Sequence, residues 1–399
     1  MFRRPTAYLL LLILVAAFLF RLPLLALLCT LLLLASGVAW LWNRWSLVRL
    51  GFESTLSSER AFPDDEIELQ LRLTNRKPLP LAAVAVRELI PEGLTLLSDV
   101  IDRDFHGRQV INRSAGLGWY EGLTWRYRLR CDVRGAYRLG PATIETGDPF
   151  GFFHTFREEP RATRLIIYPR LLPLADLNLA PVHPIGDLRA RQLVRDPIRT
   201  VGVRDYHPDD PLKDVHWSAT ARVGSLQTRV YETTAERSLA IFLDLDTFTH
   251  YWEGIDPLQV ERVISAAATL ARHAVDEGYA IGLYVNGAPA EQERLARMAP
   301  SRSPAQLGRI MEALATLTPL SLMPVARLLR STTGDLPWGT TILLVSSIAL
   351  DPTRAALMTL RERGRSVAWL YLGEGQAPVV PGIAVRHAPP QGDWATKRS

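Results

Sequence analysis

The first 45 residues of the chain are almost continuously apolar. Residues 7–20 hold only apolar and aromatic side chains, an interruption follows at Arg21, and residues 24–42 are again almost wholly apolar. This pattern predicts two membrane helices joined by a tight turn, a hairpin at residues 1–45. As a helix the first run is about 21 Å long, less than the ~30 Å hydrocarbon core. It therefore needs local thinning of the bilayer or a snorkelling Arg21 to cross.

Basic residues flank this hairpin on both sides. Arg3 and Arg4 precede it, whereas Arg44 and Arg49 follow it. An interfacial belt of tryptophans marks the end of the second run: Trp40, Trp42 and Trp45. Because Lys and Arg favour the cytoplasmic side, the pattern predicts a two-pass protein of the inner (cytoplasmic) membrane with its soluble domains in the cytoplasm.

Two other topologies fit parts of the same pattern. A cleaved secretory signal peptide would use the small residues at 35–37, although these lie deep inside the second apolar run. A single anchor with an external C-terminal body would treat Arg21 as a break in the first run. The positive-inside pattern favours the hairpin over both.

Residues 46–170 have the pattern of an all-β domain. Charged and aliphatic side chains alternate over residues 66–73, and the turn sequence Asn-Arg-Lys-Pro follows. Further strands are predicted over 81–90, 123–131 and 136–146. Short strands at this spacing predict an immunoglobulin-like sandwich. The aromatic segment 148–153 is interpreted as a packing corner between two strands.

Residues 171–237 are interpreted as a connector that carries a charged, aromatic segment at 199–229. In residues 238–399 buried strands and amphipathic helices alternate. Strands are predicted over 239–243, 279–285, 341–345 and 366–372, and helices over 258–277, 304–317 and 352–363. This alternation predicts an α/β domain with an open, mostly parallel, Rossmann-like sheet covered on both faces. A tail rich in Pro and Gly follows, with an edge strand at 383–387.

Composition narrows the function classes. The chain has 399 residues, a formal net charge of +5 and two cysteines. Its Lys and Arg residues are spread along the chain among Asp and Glu, which argues against a nucleic-acid partner. Cys29 lies in an apolar run and Cys131 in a predicted strand, so they indicate neither a disulfide framework nor a metal site. The sequence also lacks a G-x-S-x-G elbow, a Walker P-loop and a dinucleotide fingerprint. We therefore expect a protein that is not an enzyme.

Two aspartates follow the first predicted strand of the α/β domain. Open α/β sheets bind ligands at the carboxyl ends of their strands, and Asp244 and Asp246 lie at this place. With Ser346 at the end of a later strand they form a candidate magnesium site, because carboxylates and hydroxyls are ligands of this cation. Phe248 stands where an Asp-x-Ser-x-Ser loop would carry its last hydroxyl, so the site is degenerate. The alternative is that both carboxylates cap loops or helix N-termini.

The segment 199–229 concentrates His and Asp within ten positions. These residues are His207, Asp209, Asp210, Asp214 and His216. Their spacing differs from that of a helical metal pair, and Pro208 and Pro211 break regular structure between them. A turn in which Asp210 pairs with Arg204 or Arg222 is therefore the favoured interpretation. Partner binding is the second interpretation, and a catalytic metal is the third.

The same segment resembles the signature of a family called domain of unknown function 58. The matching positions are Gly202, Arg204, Asp205, Tyr206, Pro208, Asp210, Pro211, Lys213, Val215, His216, Trp217, Ala219, Ala221 and Arg222. The order of a membrane anchor, a β domain with an Asp-Pro-Phe-Gly segment and an α/β domain is also similar to that family. Asp209 stands where the family usually has Gly, and Lys213 where it has Arg.

This resemblance implies a von Willebrand factor A-like domain at residues 238–399. Members of the family are commonly encoded beside MoxR-type AAA+ ATPases and other membrane proteins. The resemblance therefore implies an adaptor that docks on such an ATPase during protein-complex maturation or an envelope process. The positions that it implies for partner binding are Arg204, Asp205, Tyr206, Asp210, His216, Trp217 and Arg222. Two alternatives stay open: magnesium-dependent recognition at Asp244, Asp246 and Ser346, and a metal-dependent hydrolase that uses the cluster from His207 to His216.

Overall fold

The computed structural model describes residues 4–97, 102–103, 107–179, 200–208, 210, 212–231, 237–290 and 294–389. The chain divides into two compact units, residues 1–168 and 169–399. The boundary falls at the proline-rich start of the predicted connector.

Two helices open the first unit, α1 (Arg4–Leu19) and α2 (Pro23–Ser46). Arg21 occupies the turn between them with a φ of 53°, and Pro23 begins α2 where a helix needs no backbone donor. With 24 residues, α2 is long and apolar enough to cross a membrane, whereas α1 has 16 residues and is shorter than a span requires. Of the two spans predicted from the sequence, the described residues therefore provide one candidate.

Strands build the rest of the first unit. They are β1 (Leu50–Leu56), β2 (Arg60–Ala61), β3 (Glu66–Asn75), β4 (Leu81–Leu89), β5 (Leu94–Leu96), β6 (Asp102–Arg103), β7 (Gln109–Leu117), β8 (Gly122–Cys131), β9 (Gly135–Leu139), β10 (Ala142–Gly147), β11 (His154–Glu159) and β12 (Thr163–Ile167). Two antiparallel sheets have the orders β1-β3-β8-β5 and β11-β10-β4-β7-β6, and a small third sheet has the order β2-β12-β9. The β-rich architecture predicted for this region is confirmed.

The alternation of apolar and charged residues in the sequence corresponds to the buried and exposed faces of the sheets. In β3 every second residue from Ile67 to Leu73 is buried, while the residues between them are exposed or half-buried. Buried side chains of both large sheets, such as Leu71 and Ile144, belong to one hydrophobic core. Two sheets that share a core in this way form a sandwich.

One predicted strand is wrong. The run 136–146 was expected to be continuous, but it contains β9 and β10, which belong to different sheets. Gly140, with a φ of 108°, and Pro141 separate them. Glycine permits that backbone conformation and proline cannot donate to a strand ladder, so the chain changes sheet at this point.

Two cationic side chains hold the end of α2 against the sandwich. A helix leaves its last carbonyl groups without backbone donors. Lys77, which is 5% exposed, donates to the carbonyl of Ser46 and, at 2.8 Å, to that of Val48. Arg157 donates to the Leu50 carbonyl at 2.9 Å. Burial, reinforced by the Arg157 charge, lowers the pKa of Lys77 to about 8. Only residues 47–49 separate α2 from β1.

The second unit combines a hairpin with an α/β sheet. Its strands are β13 (Thr200–Asp205), β14 (Gln227–Tyr231), β15 (Ser238–Leu243), β16 (Ala280–Val285), β17 (Gly287–Pro289), β18 (Arg297–Ser301), β19 (Leu317–Ser321), β20 (Thr341–Ser346), β21 (Ser366–Tyr371) and β22 (Ala384–His387). Its helices are α3 (Trp217–Val223), α4 (Pro257–Asp276), α5 (Ala305–Thr316), α6 (Val325–Thr332) and α7 (Asp351–Glu362). One sheet has the order β18-β16-β15-β20-β21-β22, and every neighbouring pair is parallel except β18 with β16.

The parallel strands are buried on both faces, as their continuous apolar sequences predict. All residues of β15 and β20 are buried. α4 and α5 pack on one face of the sheet, and α6 and α7 on the other. Arg262 of α4, which is 3% exposed, donates to the carbonyls of Leu372, Ala388 and Pro389. These bonds tie the segments that follow β21 and β22 to the helix.

Each strand and helix predicted within residues 238–399 is observed within one residue of its predicted ends. The periodicity does not predict α6, β17, β18 or β19. α6 has only eight residues, which is too short for a clear helical repeat. Pro300 in β18 and Pro319 in β19 interrupt the alternation that marks a strand.

The sandwich buries one carboxyl group with little compensation. Glu88 is 1% exposed, and its Oε1 accepts a hydrogen bond from Ser54 at 3.4 Å. Its Oε2 has no hydrogen-bond partner within the described part of the chain. Burial raises the pKa of Glu88 from an ordinary 4.5 to about 7. The folded chain therefore binds a proton at pH values where the unfolded chain has released it.

The free energy of unfolding of the wild type should decrease as the pH rises, because Glu88 then ionises in a buried position. We expect Glu88→Gln to abolish this decrease. For a raised carboxyl pKa, stability is highest below the unfolded value and falls until the folded value is passed. The loss accrues between about pH 4.5 and 7 and is on the order of 3 kcal/mol. Thermal unfolding of the full chain in detergent from pH 4 to 8 measures it. Glu53→Gln, at an exposed position of β1, is the control. An equal pH dependence in wild type and Glu88→Gln would contradict this account.

Candidate functional site

The order of the strands creates a switch point in the sheet of the second unit. After β15 the chain adds β16 on one side and later adds β20 on the other, so the order reverses between β15 and β20. Open α/β sheets bind ligands there, beyond the carboxyl ends of the strands. Polar residues end three strands at this place: Asp244 and Asp246 after β15, Asn286 after β16, and Ser346 and Ser347 at the end of β20.

Asn286 holds the two aspartates together. Its side chain is fully buried, and its Nδ2 donates to Asp244 Oδ1 at 2.8 Å and to Asp246 Oδ2 at 3.4 Å. Its Oδ1 accepts a hydrogen bond from the Leu245 amide at 2.9 Å. One side-chain amide therefore fixes both the backbone and the carboxyl groups of the loop.

Two serine hydroxyls extend this network. Ser321 donates to Asp246 Oδ1, and Ser347 donates to the Asp246 carbonyl oxygen at 3.1 Å. The Asp244 amide donates to the Val345 carbonyl at 3.0 Å, which joins the loop to β20. Both carboxyl groups thus have hydrogen-bond donors within the chain.

Burial changes the proton affinity of Asp244. Its side chain is 1% exposed, and this burial raises its pKa well above the ordinary value of an aspartate. The charge of Asp246 raises it further, because two neighbouring carboxylates disfavour each other. Hydrogen bonds from the Asp246 amide and from Asn286 oppose the shift. The arrangement favours one proton held at Asp244.

The Ser346 hydroxyl does not join the two aspartates, which corrects the predicted ligand set. It donates to the Ile348 carbonyl at 3.0 Å and accepts from Trp369 Nε1 at 2.8 Å, because a buried indole needs an acceptor. Phe248, at the other degenerate position, offers no ligand atom. Among the described residues no three of His, Cys, Asp and Glu gather as metal ligands. The residues present fit a hydrogen-bonded loop better than a magnesium site.

Large apolar side chains are exposed on two segments beside the network, residues 248–258 and 320–322, which include the start of α4 and the end of β19. They are Phe248, Trp252, Ile255, Leu258, Leu320 and Leu322, which we call the apolar rim. The Leu322 amide donates to the Asn286 carbonyl at 2.7 Å. The Asp256 amide donates to the Thr247 hydroxyl at 3.0 Å. Both segments of the rim are therefore tied to the switch point.

The signature segment forms the hairpin of β13 and β14, with α3 between the two strands. Arg204 Nη2 donates to Asp210 Oδ1 at 2.6 Å, and the His207 amide donates to Asp210 Oδ2 at 2.9 Å. The His207 amide, with a smaller effect of Arg204, holds the pKa of Asp210 below its ordinary value. Arg204 and Arg222 were the two predicted partners of Asp210, and the ion pair observed among the described residues is the one with Arg204.

Other signature residues hold the hairpin and the helix in place. Gln227 Nε2 donates to Asp205 Oδ1 at 2.6 Å, and the Tyr206 amide donates to a carbonyl of the opposite arm. His216 caps α3, since its Nδ1 accepts from the Ala219 amide at 3.1 Å. That nitrogen is therefore committed to the helix and is not a metal ligand.

Two large signature side chains of α3 face solvent. Trp217 begins α3 and is 67% exposed, and Arg222 is exposed in the last turn of the same helix. Of the predicted cluster of His and Asp, Asp209 lies outside the described residues. The signature therefore has an exposed face on α3, in addition to the exposed residues of β13.

Sequence reasoning missed Asn286 and Ser321. Asn286 directly follows β16, so the rule that selected Asp244 after β15 selects it as well. Ser321 ends β19, a strand that its proline conceals in the sequence. Only the pairing of β17 with β19 brings this hydroxyl to the loop.

A family model matches the part of the chain that contains the signature. Residues 202–329 match the family model described as protein of unknown function DUF58. The predicted DUF58 resemblance is thereby confirmed for this part of the chain. The uncharacterized protein YeaD of Bacillus subtilis is 22% identical over 222 residues, which are 55% of this chain and 51% of YeaD. The chain thus spans about half the length of this curated relative.

Two solved structures are similar to parts of the chain. The CARDB domain of the PF1109 protein from Pyrococcus furiosus is 14% identical, with a TM-score of 0.20 over 30% of this chain and 91% of that domain. The sixth cohesin of scaffoldin B from Acetivibrio cellulolyticus is 11% identical, with a TM-score of 0.22 over 29% of this chain and 99% of that module.

We expect Asn286→Ala to destabilise the second unit strongly. The substitution leaves the Leu245 amide and the Asp244 carboxyl without their shared partner, and each buried group left unsatisfied costs about 1–3 kcal/mol. Hydrogen exchange of the amides of β15 and β16 in the detergent-solubilised chain measures the local stability. Asn112→Ala, at an exposed position of β7, is the control. Unchanged protection of both strands would show that the amide does not hold the loop.

Proposed function

We propose that this chain is a membrane-anchored interaction protein that binds a partner protein at the apolar rim. The observation that carries the proposal is the exposure of six large apolar side chains on the two segments beside the polar network of Asn286. Large apolar side chains exposed close to one another in the sequence and in the fold are typical of protein-binding sites. The network beneath supports this role because it fixes both segments before binding, which lowers the entropic cost of association.

The proposal includes the von Willebrand factor A-like identity of the second unit. It is supported by a mostly parallel sheet with one antiparallel edge strand and by two aspartates that follow the central strand β15. The proposal also includes a two-pass anchor in the inner membrane with both units in the cytoplasm. Support for this topology comes from α2 and from the basic residues that flank the hairpin.

The partner in this proposal is a MoxR-type AAA+ ATPase, and the process is protein-complex maturation or an envelope function. The DUF58 match supports this choice through the resemblance of the signature to that family. Trp252, which is 68% exposed, is the rim residue best suited to anchor a partner, because tryptophan carries much of the binding energy at protein interfaces.

We expect Trp252→Ser to abolish recovery of the ATPase with the full-length chain from mild detergent extracts that contain ATP. Loss of a central tryptophan costs about 2 kcal/mol or more, which is about 30-fold in affinity. Trp338→Ser is the matched control. Its indole is 73% exposed and precedes β20 at the amino edge of the sheet, so recovery should not change.

Two results would contradict parts of this proposal. If the wild type never recovers an AAA+ ATPase, the adaptor function fails. If Trp252→Ser and Trp338→Ser recover equal amounts, the rim is not the binding surface. In that case Trp217→Ser tests the exposed face of α3, which carries the partner-binding residues implied by the signature.

Magnesium-dependent recognition at Asp244 and Asp246 is the second candidate function. The raised pKa of Asp244 favours it, because a cation beside the two carboxylates would relieve their repulsion. The engagement of Ser346 with Trp369 and the apolar Phe248 oppose it, since they leave few oxygen ligands for the cation.

We expect Asp244→Asn to stabilise the chain at high pH and to leave the response to magnesium unchanged. Because the folded pKa of Asp244 is raised, its contribution to stability is lost as the pH rises above the ordinary 3.8. The variant should match the wild type near pH 4 and exceed it near pH 8 in thermal unfolding. Asp335→Asn, at an exposed position, is the control. A magnesium-dependent rise of the unfolding temperature in the wild type that Asp244→Asn abolishes would instead establish the metal site.

A further inference from the structure

Four loops of the sandwich gather at the end where α2 enters it. They are residues 47–49, 76–80, 118–121 and 148–153. The strand registers place them together: Leu50 pairs with Asn75, and Thr74 pairs with Gly122. In the other sheet Leu81 pairs with Leu117, and Thr146 at the end of β10 pairs with Val84 near the start of β4. We call this end of the sandwich the anchor end.

Hydrogen bonds join the anchor-end loops to the end of α2. The Arg76 amide donates to the Arg49 carbonyl at 3.1 Å, and the Tyr120 amide donates to the Lys77 carbonyl at 3.3 Å. Lys77 in turn donates its ammonium hydrogens to the Ser46 carbonyl at the last residue of the helix. The position of the loops relative to α2 is therefore fixed by direct contacts.

The anchor end exposes aromatic side chains that the core of the sandwich does not use. Trp119 and Tyr120 are each 70% exposed at the tip of the loop between β7 and β8. Phe150 is 54% exposed in the loop between β10 and β11. The turn that presents Phe150 is built by Asp148, whose carboxylate accepts hydrogen bonds from the amides of Phe150 at 2.9 Å and of Phe153 at 2.5 Å.

We propose that the anchor end lies on the lipid surface, with Trp119, Tyr120 and Phe150 in the headgroup region. The inference rests on the proposed function, because it takes α2 as the membrane span. Since α2 ends at Ser46 and its last turn carries the exposed Trp45, the helix leaves the hydrocarbon core at this level. Loops bonded to its end lie at the level of the headgroups.

The chemistry of the loops fits a lipid surface. Trp and Tyr are enriched at the boundary between hydrocarbon and water, where the ring is apolar and the polar atom is hydrated. Arg44, Arg49 and Arg76 are exposed beside them, and arginines near a membrane surface attract anionic headgroups. Glu121 is the exposed acid of these loops, so the balance of exposed charge at this end is positive.

Site-specific fluorescence tests this contact. In the full chain with Trp119→Cys, the introduced thiol is labelled with the polarity-sensitive fluorophore nitrobenzoxadiazole. The labelled chain is placed in nanodiscs of phosphatidylcholine and phosphatidylglycerol. We expect doxyl-labelled lipid to lower its emission several-fold more than that of a label at Val133→Cys. Val133 is 37% exposed and follows β8 at the opposite end of the sandwich. Phe150→Cys is a second, independent position if Trp119→Cys fails to fold.

A chain without an added cysteine corrects for label at the native thiols. Cys29 and Cys131 are both buried, and burial raises the pKa of Cys131 to about 12, so little background is expected.

The outcomes separate this inference from the membrane anchor itself. If alkaline carbonate releases the chain from membranes, the anchor fails and the inference fails with it. If the chain stays in the membrane but positions 119 and 133 respond alike, the lipid contact is wrong and the anchor stands. If the label at 119 is shielded from iodide but not quenched by doxyl lipid, a second copy of the chain covers the anchor end, which also overturns the proposal.

Discussion

Both units depend on long cationic side chains that satisfy backbone carbonyl groups where helices and strands end. A buried carbonyl without a donor costs free energy comparable to a lost hydrogen bond. Lys77 and Arg157 supply donors to the segment that leaves α2. Arg262 donates hydrogen bonds to three carbonyls beyond β21 and β22, and Arg365 donates to three carbonyls ahead of β20. Burial lowers the pKa of Lys77, Arg262 and Arg365, as expected for cations held largely by neutral dipoles. These cationic side chains stabilise the ends of helices and strands, although the sequence alone suggests that they are evenly spread surface charges.

The sequence predicts most elements because burial imposes a period on it. The alternation over 66–73 and the apolar run at 239–243 lead directly to β3 and β15. What periodicity cannot supply is the direction of a hydroxyl or the meeting of distant loops. Ser346 ends a strand at the right edge of the sheet, yet its hydroxyl bonds the indole of Trp369. Ser321 reaches the aspartates only through a pairing of two short strands that local pattern does not reveal. The sequence is sufficient to predict the resemblance to the family signature. The structural roles of the signature residues follow only from their contacts in the folded chain.

The candidate site joins two surfaces with different chemistry. In the network around Asn286 the donors and acceptors largely face one another, and the side chains of Asn286 and Asp244 are buried. The apolar rim is open and faces outward. The hydrogen bonds of this network give the segments that carry the rim a fixed shape. The signature hairpin has a similar division, since Arg204, Asp205 and His216 serve its internal contacts while Trp217 faces solvent.

The three residues between α2 and β1 have a mechanical consequence. A flexible tether lets a domain tumble freely above a bilayer, and each encounter with a partner then requires a search over orientations. Here residues 47–49 join α2 to the first sheet, and the hydrogen bonds of Lys77 hold the two together. A rotation of the helix about its axis therefore turns the sandwich by the same angle. If α2 spans a membrane as proposed, the orientational entropy of the sandwich relative to the membrane plane is removed once, when the chain folds. In that arrangement an encounter with another protein of the same membrane is a search in two dimensions with one rotational coordinate.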